Sequence, residues 1–172
     1  MKLKAIHLAI AYCILYISFT LFFYFTQQFK PFNYVYLGSM ALILPFVLIT
    51  VKIQRENTYG GYISSKDAFR EGMKFIVLLT FLLIVFQTFF YFMGWKEFKS
   101  EFLPALIKES VSEIEKLGKK KFTESEIQKS IQEELNNITL FKEITFTFFR
   151  CIFAGFFSSF LAAIFLKRSK KA

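Results

Sequence analysis

Charge is missing from the parts of this chain where a soluble protein would need it. Four long apolar segments, Ala5–Thr26, Phe32–Val51, Phe75–Trp95 and Ile144–Leu166, contain a single Asp, Glu, Lys or Arg between them, Arg150. About 20 residues suffice to cross a hydrocarbon core of about 30 Å as a helix. Because the segments are apolar on every side, they indicate helices surrounded by lipid. The sequence therefore predicts an all-α integral membrane protein, a single membrane domain with four transmembrane helices.

The residues that carry catalysis or bind metals are also scarce. The chain has one His and two Cys, and His7 has no second ligand at metal-binding spacing. Cys13 and Cys151 both lie within apolar segments, which indicates packing rather than a disulfide. We find no phosphate-binding glycine loop, nucleophile elbow or paired carboxylates. We therefore predict a non-enzymatic protein with no catalytic residue, no metal and no cofactor.

The basic excess follows the membrane topology. The formal net charge is +9, and nearly all of it falls on the two termini and on residues 52–74, whereas residues 96–142 are balanced. The positive-inside rule then places both termini in the cytoplasm. The predicted partner is the lipid bilayer, including anionic headgroups, and not a nucleic acid.

Residues 96–142 form the longest polar region, and their pattern predicts an amphipathic helical hairpin between spans three and four, on the extracytoplasmic side of the membrane. Apolar residues recur every three to four positions, Gly118 and three lysines interrupt them, and Thr123–Glu126 reads as a capping box. Two amphipathic arms cannot bury both apolar stripes alone. The hairpin must also pack on the membrane surface, a second copy or a partner protein.

Two segments carry small residues at helical spacing. Gly60 and Gly61 mark a turn, after which Ser64, Ala68 and Gly72 repeat every four residues into a third helix that begins near residue 67, before its membrane part. We predict a lipid or partner contact here; the alternative is a loop that happens to be rich in small residues. The fourth span carries two adjacent stripes that predict a packing face toward another span or a second subunit: Ala154, Ser158 and Ala162; Gly155, Ser159 and Ala163.

Arg150 is a candidate functional residue because a charge within a membrane span is costly. It lies near one end of its span, so its side chain could snorkel to the headgroups or pair with Glu143 or a backbone carbonyl. The other reading is contact with a lipid phosphate.

The run from Gly60 to Gly72 resembles the Gly-Gly-x-Ile-Ser and Ala-Phe-x-x-Gly signature of a bacterial family of uncharacterised four-span membrane proteins, a domain of unknown function. The order of spans, hairpin and basic tail is also similar along nearly the whole chain. The resemblance implies the bacterial inner membrane and a gene position beside that of a polyprenyl-phosphate sugar transferase, which in turn implies a role in envelope assembly.

The leading functional hypothesis is a scaffold or accessory subunit that contacts other membrane proteins or further copies of itself. One alternative is a small-solute transporter or channel formed by an oligomer, with polar span residues such as Gln87 and Ser158 lining its route. Another is a lipid-handling partner of an envelope glycosyltransferase.

Overall fold

The computed structural model describes residues 5–26, 29–116, 118 and 122–168. Helices account for most of them, and the only pairing of extended backbone among these residues is one isolated antiparallel bridge between Ile63 and Arg168. The helices are α1 Ala5–Thr26, α2 Phe29–Asn57, α3 Ser65–Phe90, α4 Lys96–Lys116, α5 Glu124–Asn136 and α6 Leu140–Phe165, with a π-helical turn at Tyr91–Trp95 between α3 and α4.

Four of these helices, α1, α2, α3 and α6, are long and apolar enough to cross a membrane. Large apolar side chains cover their surfaces: Phe22, Phe81 and Phe153, for example, are more than half exposed. Such a surface is stable only where lipid replaces water. The predicted fold class, an all-α membrane protein with four transmembrane helices, is confirmed.

Two of the helices extend beyond the predicted spans. α2 runs from Phe29 to Asn57 rather than from residue 32 to 51, and α6 begins at Leu140 rather than at 144. The added residues at the end of α2 are mostly polar. Backbone hydrogen bonding can continue in water after the hydrocarbon region ends, so apolar length underestimates helix length.

The chain divides into two compact units. Unit 1 comprises Met1–Phe86 with Phe146–Ala172, and unit 2 comprises Gln87–Thr145. The core of unit 1 draws buried residues from all four long helices, among them Ala9, Val47, Leu79 and Ala162. Helices α1 and α2 pack together, and the ring of Tyr12 meets that of Phe46 edge-on at 5.3 Å.

Unit 2 contains the predicted hairpin arms, and α4 and α5 pack against each other. The first arm ends near Gly118, whose φ of 66° favours glycine. The second arm begins at the predicted capping box: the Thr123 hydroxyl accepts a hydrogen bond from the Glu126 amide, and the Glu126 side chain accepts one from the Thr123 amide. Its position outside the cytoplasm stays a prediction.

Two breaks delimit the hairpin. Gly94 adopts a φ of 138° inside the π-helical turn, so the chain bends between α3 and α4. Asn137 caps the end of α5, and Thr139 then accepts a hydrogen bond from the Lys142 amide at the start of α6. The second arm therefore ends before the fourth span, although the apolar spacing suggests one continuous helix.

Candidate functional site

Gly60 and Gly61 form the turn that reverses the chain between α2 and α3. Their φ values of 61° and 86° lie in the left-handed region, where a Cβ is unfavourable. The Gly61 amide donates to the Arg55 carbonyl at 2.9 Å, and the Tyr62 amide donates to the Tyr59 carbonyl at 3.2 Å. The glycine pair thus closes the C-terminus of α2 and aims the following residues back along the bundle.

Ile63, two residues after Gly61, is hydrogen-bonded to the segment that follows α6. The Ile63 amide donates to the Arg168 carbonyl at 3.1 Å, and the Arg168 amide donates to the Ile63 carbonyl at 3.0 Å. The Ile63 side chain is 2% exposed. The loop and the tail beyond α6 therefore hold one another in a fixed register.

Ser64 caps α3. Its hydroxyl accepts from the Asp67 amide at 3.1 Å and donates to the Asp67 carboxylate at 2.7 Å, while its carbonyl accepts from the Ala68 amide at 2.9 Å. Ser64 itself is exposed, whereas Ala68 is fully buried in the core of unit 1. Of the residues predicted as a lipid or partner contact, Gly60, Gly61 and Ser64 remain at the surface.

Gly72, the last residue of that pattern, lies against α6. A Cβ added to it would lie 2.5 Å from the Ser159 Oγ and 3.2 Å from the Ser159 Cα. One turn further along α3 the roles reverse, because a Cβ on Gly155 would lie 2.4 to 2.6 Å from side-chain carbons of Ile76. Glycine on each helix thus admits a bulkier neighbour on the other.

The remaining small residues of α6 are mostly buried. Ala162 and Ser159 are fully buried, and Ala163 and Ser158 are 6% and 5% exposed. Ala154 is half-buried, and its carbonyl accepts a hydrogen bond from the Ser158 hydroxyl at 2.8 Å. This face of α6 is therefore buried against other parts of unit 1.

Arg150 is also directed into unit 1. Its side chain and backbone together are 7% exposed, and the guanidinium carbon lies 5.8 Å from the centre of the Tyr16 ring. The Tyr16 ring in turn meets Phe86 edge-on at 6.1 Å. A cation over an aromatic face gains electrostatic stabilisation that compensates part of its lost hydration. The guanidinium therefore lies among the helices of unit 1, and its role as a lipid or partner contact stays a prediction.

A polar cluster around Glu71 lies at the start of α3, where charged residues recur at helical spacing. The Tyr59 hydroxyl donates to a Glu71 carboxylate oxygen at 3.1 Å and accepts from Arg70 at 3.0 Å. Lys74 donates to the same Glu71 oxygen at 2.8 Å, and Glu71 is 8% exposed. The three-residue spacing between Glu71 and Lys74 indicates an ion pair on one face of a helix. No residue near Tyr59 in the sequence indicates its hydrogen bond to Glu71.

Unit 2 has its own cluster, built around Trp95. This side chain is 5% exposed, stacks on Phe98 with ring centres 5.6 Å apart, and lies under the ammonium of Lys99 at 5.5 Å. Lys99 also forms an ion pair of 2.6 Å with Glu143, which is 7% exposed. The Tyr91 hydroxyl donates to the Ile138 carbonyl at 3.3 Å. These contacts join the beginning of the hairpin to its end.

Across the ranges that the structure describes, no three His, Cys, Asp or Glu side chains are grouped so that they could hold a metal ion. Cys13 and Cys151 are both buried free thiols. The polar clusters described above are engaged in ion pairs and hydrogen bonds that stabilise the fold.

Comparison with known proteins identifies the family of this chain. No curated protein and no solved structure matches the chain significantly. The model of the family described as Protein of unknown function (DUF4199) matches residues 5–168, nearly the whole chain. With four helices able to cross a membrane and this match along almost its full length, the chain belongs to that family of unknown function.

Proposed function

We propose that this protein is a non-enzymatic scaffold or accessory subunit of the bacterial cell envelope, whose contact surface is the hairpin formed by α4 and α5. In this proposal α1, α2, α3 and α6 cross the inner membrane and both termini are cytoplasmic. The distribution of basic residues supports this orientation, since they collect near the termini and the loop between α2 and α3.

The observation that carries the proposal is the construction of unit 2. Its two arms pack together, and the Lys99–Glu143 ion pair joins the start of α4 to the first turn of α6, beside the buried Trp95. An association surface that is already ordered loses less conformational entropy on binding than a flexible loop does. A preformed surface of this kind suits recognition of another protein better than it suits a passive connection between spans.

The exposed face of α5 offers the chemistry for such contacts. Only Ile131 of this helix is buried, while Gln128, Gln132 and Glu133 are exposed. Its charged side chains are one lysine, Lys129, and four glutamates (Glu124, Glu126, Glu133 and Glu134), so the helix has a net charge of one minus four, or −3. Recognition by this face would therefore favour a partner surface that carries basic residues, with shape and hydrogen bonds adding to that attraction.

Site-specific photo-crosslinking in cells tests the proposal. A photoreactive residue placed at Gln128 or Gln132 should give a discrete protein adduct of the same mass at both positions. Val77 on α3, which is 58% exposed on an apolar helix, provides the matched control and should give lipid adducts only. An adduct of twice the mass of the chain would identify a second copy as the partner. If both α5 positions behave like Val77, the hairpin is not a protein contact and the proposal fails.

A further inference from the structure

A polar groove of about 520 Å³ lies where α3 begins and α6 has just ended. Its lining includes two tyrosines, two serines at the start of α3 and two cations: Tyr59, Tyr62, Ser64, Ser65, Lys167 and Arg168. Asp67 contributes the one carboxylate. All of these residues belong to unit 1.

The walls of the groove are held in place by backbone contacts. The paired hydrogen bonds between Ile63 and Arg168 fix the tail against the loop, and the Ser64 cap fixes the first turn of α3. Lys167 and Arg168 therefore extend from an anchored backbone. A preorganised pair of cations binds an anion at a smaller entropic cost than the same residues on a flexible tail.

The local charge favours an anion. Asp67 is engaged by Arg70 at 2.9 Å and by the Ser64 hydroxyl at 2.7 Å, and nearby Glu56 is engaged by Arg55 at 2.6 Å. The two carboxylates are thus paired chiefly with Arg70 and Arg55, and Arg168 adds a weaker electrostatic interaction with Glu56. The N-terminus of α3 adds a partial positive charge on the same side.

The position of the groove favours a lipid over a small soluble anion. α3 and α6 are both able to cross a membrane, and Lys167 follows the last residue of α6, Phe165, by two positions. Cations just beyond a span lie at the depth of the phospholipid headgroups, where tyrosines are also common. The lining combines polar atoms with the rings of Tyr59 and Tyr62, as the boundary between headgroup and acyl chain requires.

We propose that this groove binds the headgroup of an anionic phospholipid, with Lys167 and Arg168 contacting the phosphate. The site is separate from the hairpin surface, so the two proposals stand or fail independently.

Binding of phosphatidylglycerol to the purified full-length protein in mixed micelles tests the site, with phosphatidylcholine as the zwitterionic comparison. The double variant Lys167→Gln/Arg168→Gln should weaken phosphatidylglycerol binding about tenfold or more. Arg168→Lys with Lys167 intact should keep most of the affinity, because it keeps the charge. Both side chains are exposed, so neither variant should disturb folding, and an unchanged thermal midpoint checks this.

The matched control is Lys52→Gln/Lys66→Gln, which removes two exposed cations from the same end of the bundle outside the groove. An equal loss of affinity in both double variants would mean diffuse attraction to a basic surface and would overturn the proposal. So would equal binding of phosphatidylcholine, or full displacement of the lipid by inorganic phosphate at comparable concentration, which would identify the ligand as a free anion.

Discussion

In unit 1, α3 and α6 meet where Gly72 faces Ser159 and Gly155 faces Ile76. In unit 2, the chain is held instead by the Lys99–Glu143 ion pair, the ring of Trp95 and the caps of α5 and α6. The first arrangement depends on close approach between helices and on van der Waals contact. The second depends on charges, hydrogen bonds and aromatic stacking.

This difference is expected if lipid surrounds the four long helices and water surrounds the hairpin. Between lipid-exposed helices there is little hydrophobic driving force, since lipid tails are as apolar as the side chains they replace. Close packing through small residues is then the main source of association. A hairpin in water can use polar contacts, whose contribution is modest when exposed and larger when partly buried. Steric changes between α3 and α6 should therefore be more damaging than charge changes in the hairpin.

The largest effect is expected for Gly72→Ala. The new Cβ would lie 3.2 Å from the Ser159 Cα, a backbone atom that cannot move away without shifting α6. Overpacking of this kind costs about 1–3 kcal/mol, so the thermal midpoint of the protein in detergent should fall clearly.

Two further variants make that experiment specific. Adding Ser159→Gly removes the Oγ and Cβ that the alanine would meet and should restore much of the lost stability. Gly38→Ala in α2, where a Cβ meets nothing within 4 Å, should leave the midpoint unchanged or raise it. A Gly72→Ala protein as stable as the wild type would show that α3 and α6 are not closely packed here.

A smaller effect is expected for Glu143→Gln in unit 2. Glu143 is 7% exposed and bonds Lys99 at 2.6 Å, so loss of its charge leaves a partly buried ammonium without its carboxylate. We expect a loss of about 1–2 kcal/mol, seen as faster amide hydrogen exchange within residues 87–145.

Glu134→Gln serves as its control. The Glu134–Lys142 pair spans 3.4 Å with both side chains more than half exposed, and such surface pairs contribute at most about 1 kcal/mol and often nothing measurable. Equal exchange rates in the two variants would show that the Lys99–Glu143 pair behaves as an ordinary surface pair.

Much of the fold could be predicted because its signals are local. The turn at Gly60 and Gly61, the stop near Gly118 and the start at Thr123 each depend on residues within one or two helical turns. The end of α5 also had local signals, Asn136, Asn137 and the capping Thr139, but the apolar spacing continues through them and masked the break.

The site was less predictable because its contacts join distant parts of the chain. Nothing near Ile63 indicates Arg168 as its partner, and nothing near Tyr59 indicates Glu71. The direction of Arg150 was equally hidden, since a segment that is apolar on all sides gives the depth of a residue but not the face it occupies. Only the three-dimensional arrangement places Arg150 beside Tyr16.

The smallest effect, and the most local, is expected for Thr123→Ala. The variant loses the hydroxyl that accepts a hydrogen bond from the Glu126 amide. The other hydrogen bond of the capping box, from the amide of residue 123 to the Glu126 carboxylate, remains. Caps of this type contribute about 1 kcal/mol, so amide exchange should accelerate in the first turn of α5 while the midpoint for the whole protein hardly changes. Ser130→Ala, an exposed change in the middle of the same helix, should leave that exchange as it was. If Thr123→Ala instead lowered the midpoint as far as Gly72→Ala does, local polar contacts would matter as much as helix packing, and the contrast between the two units would not hold.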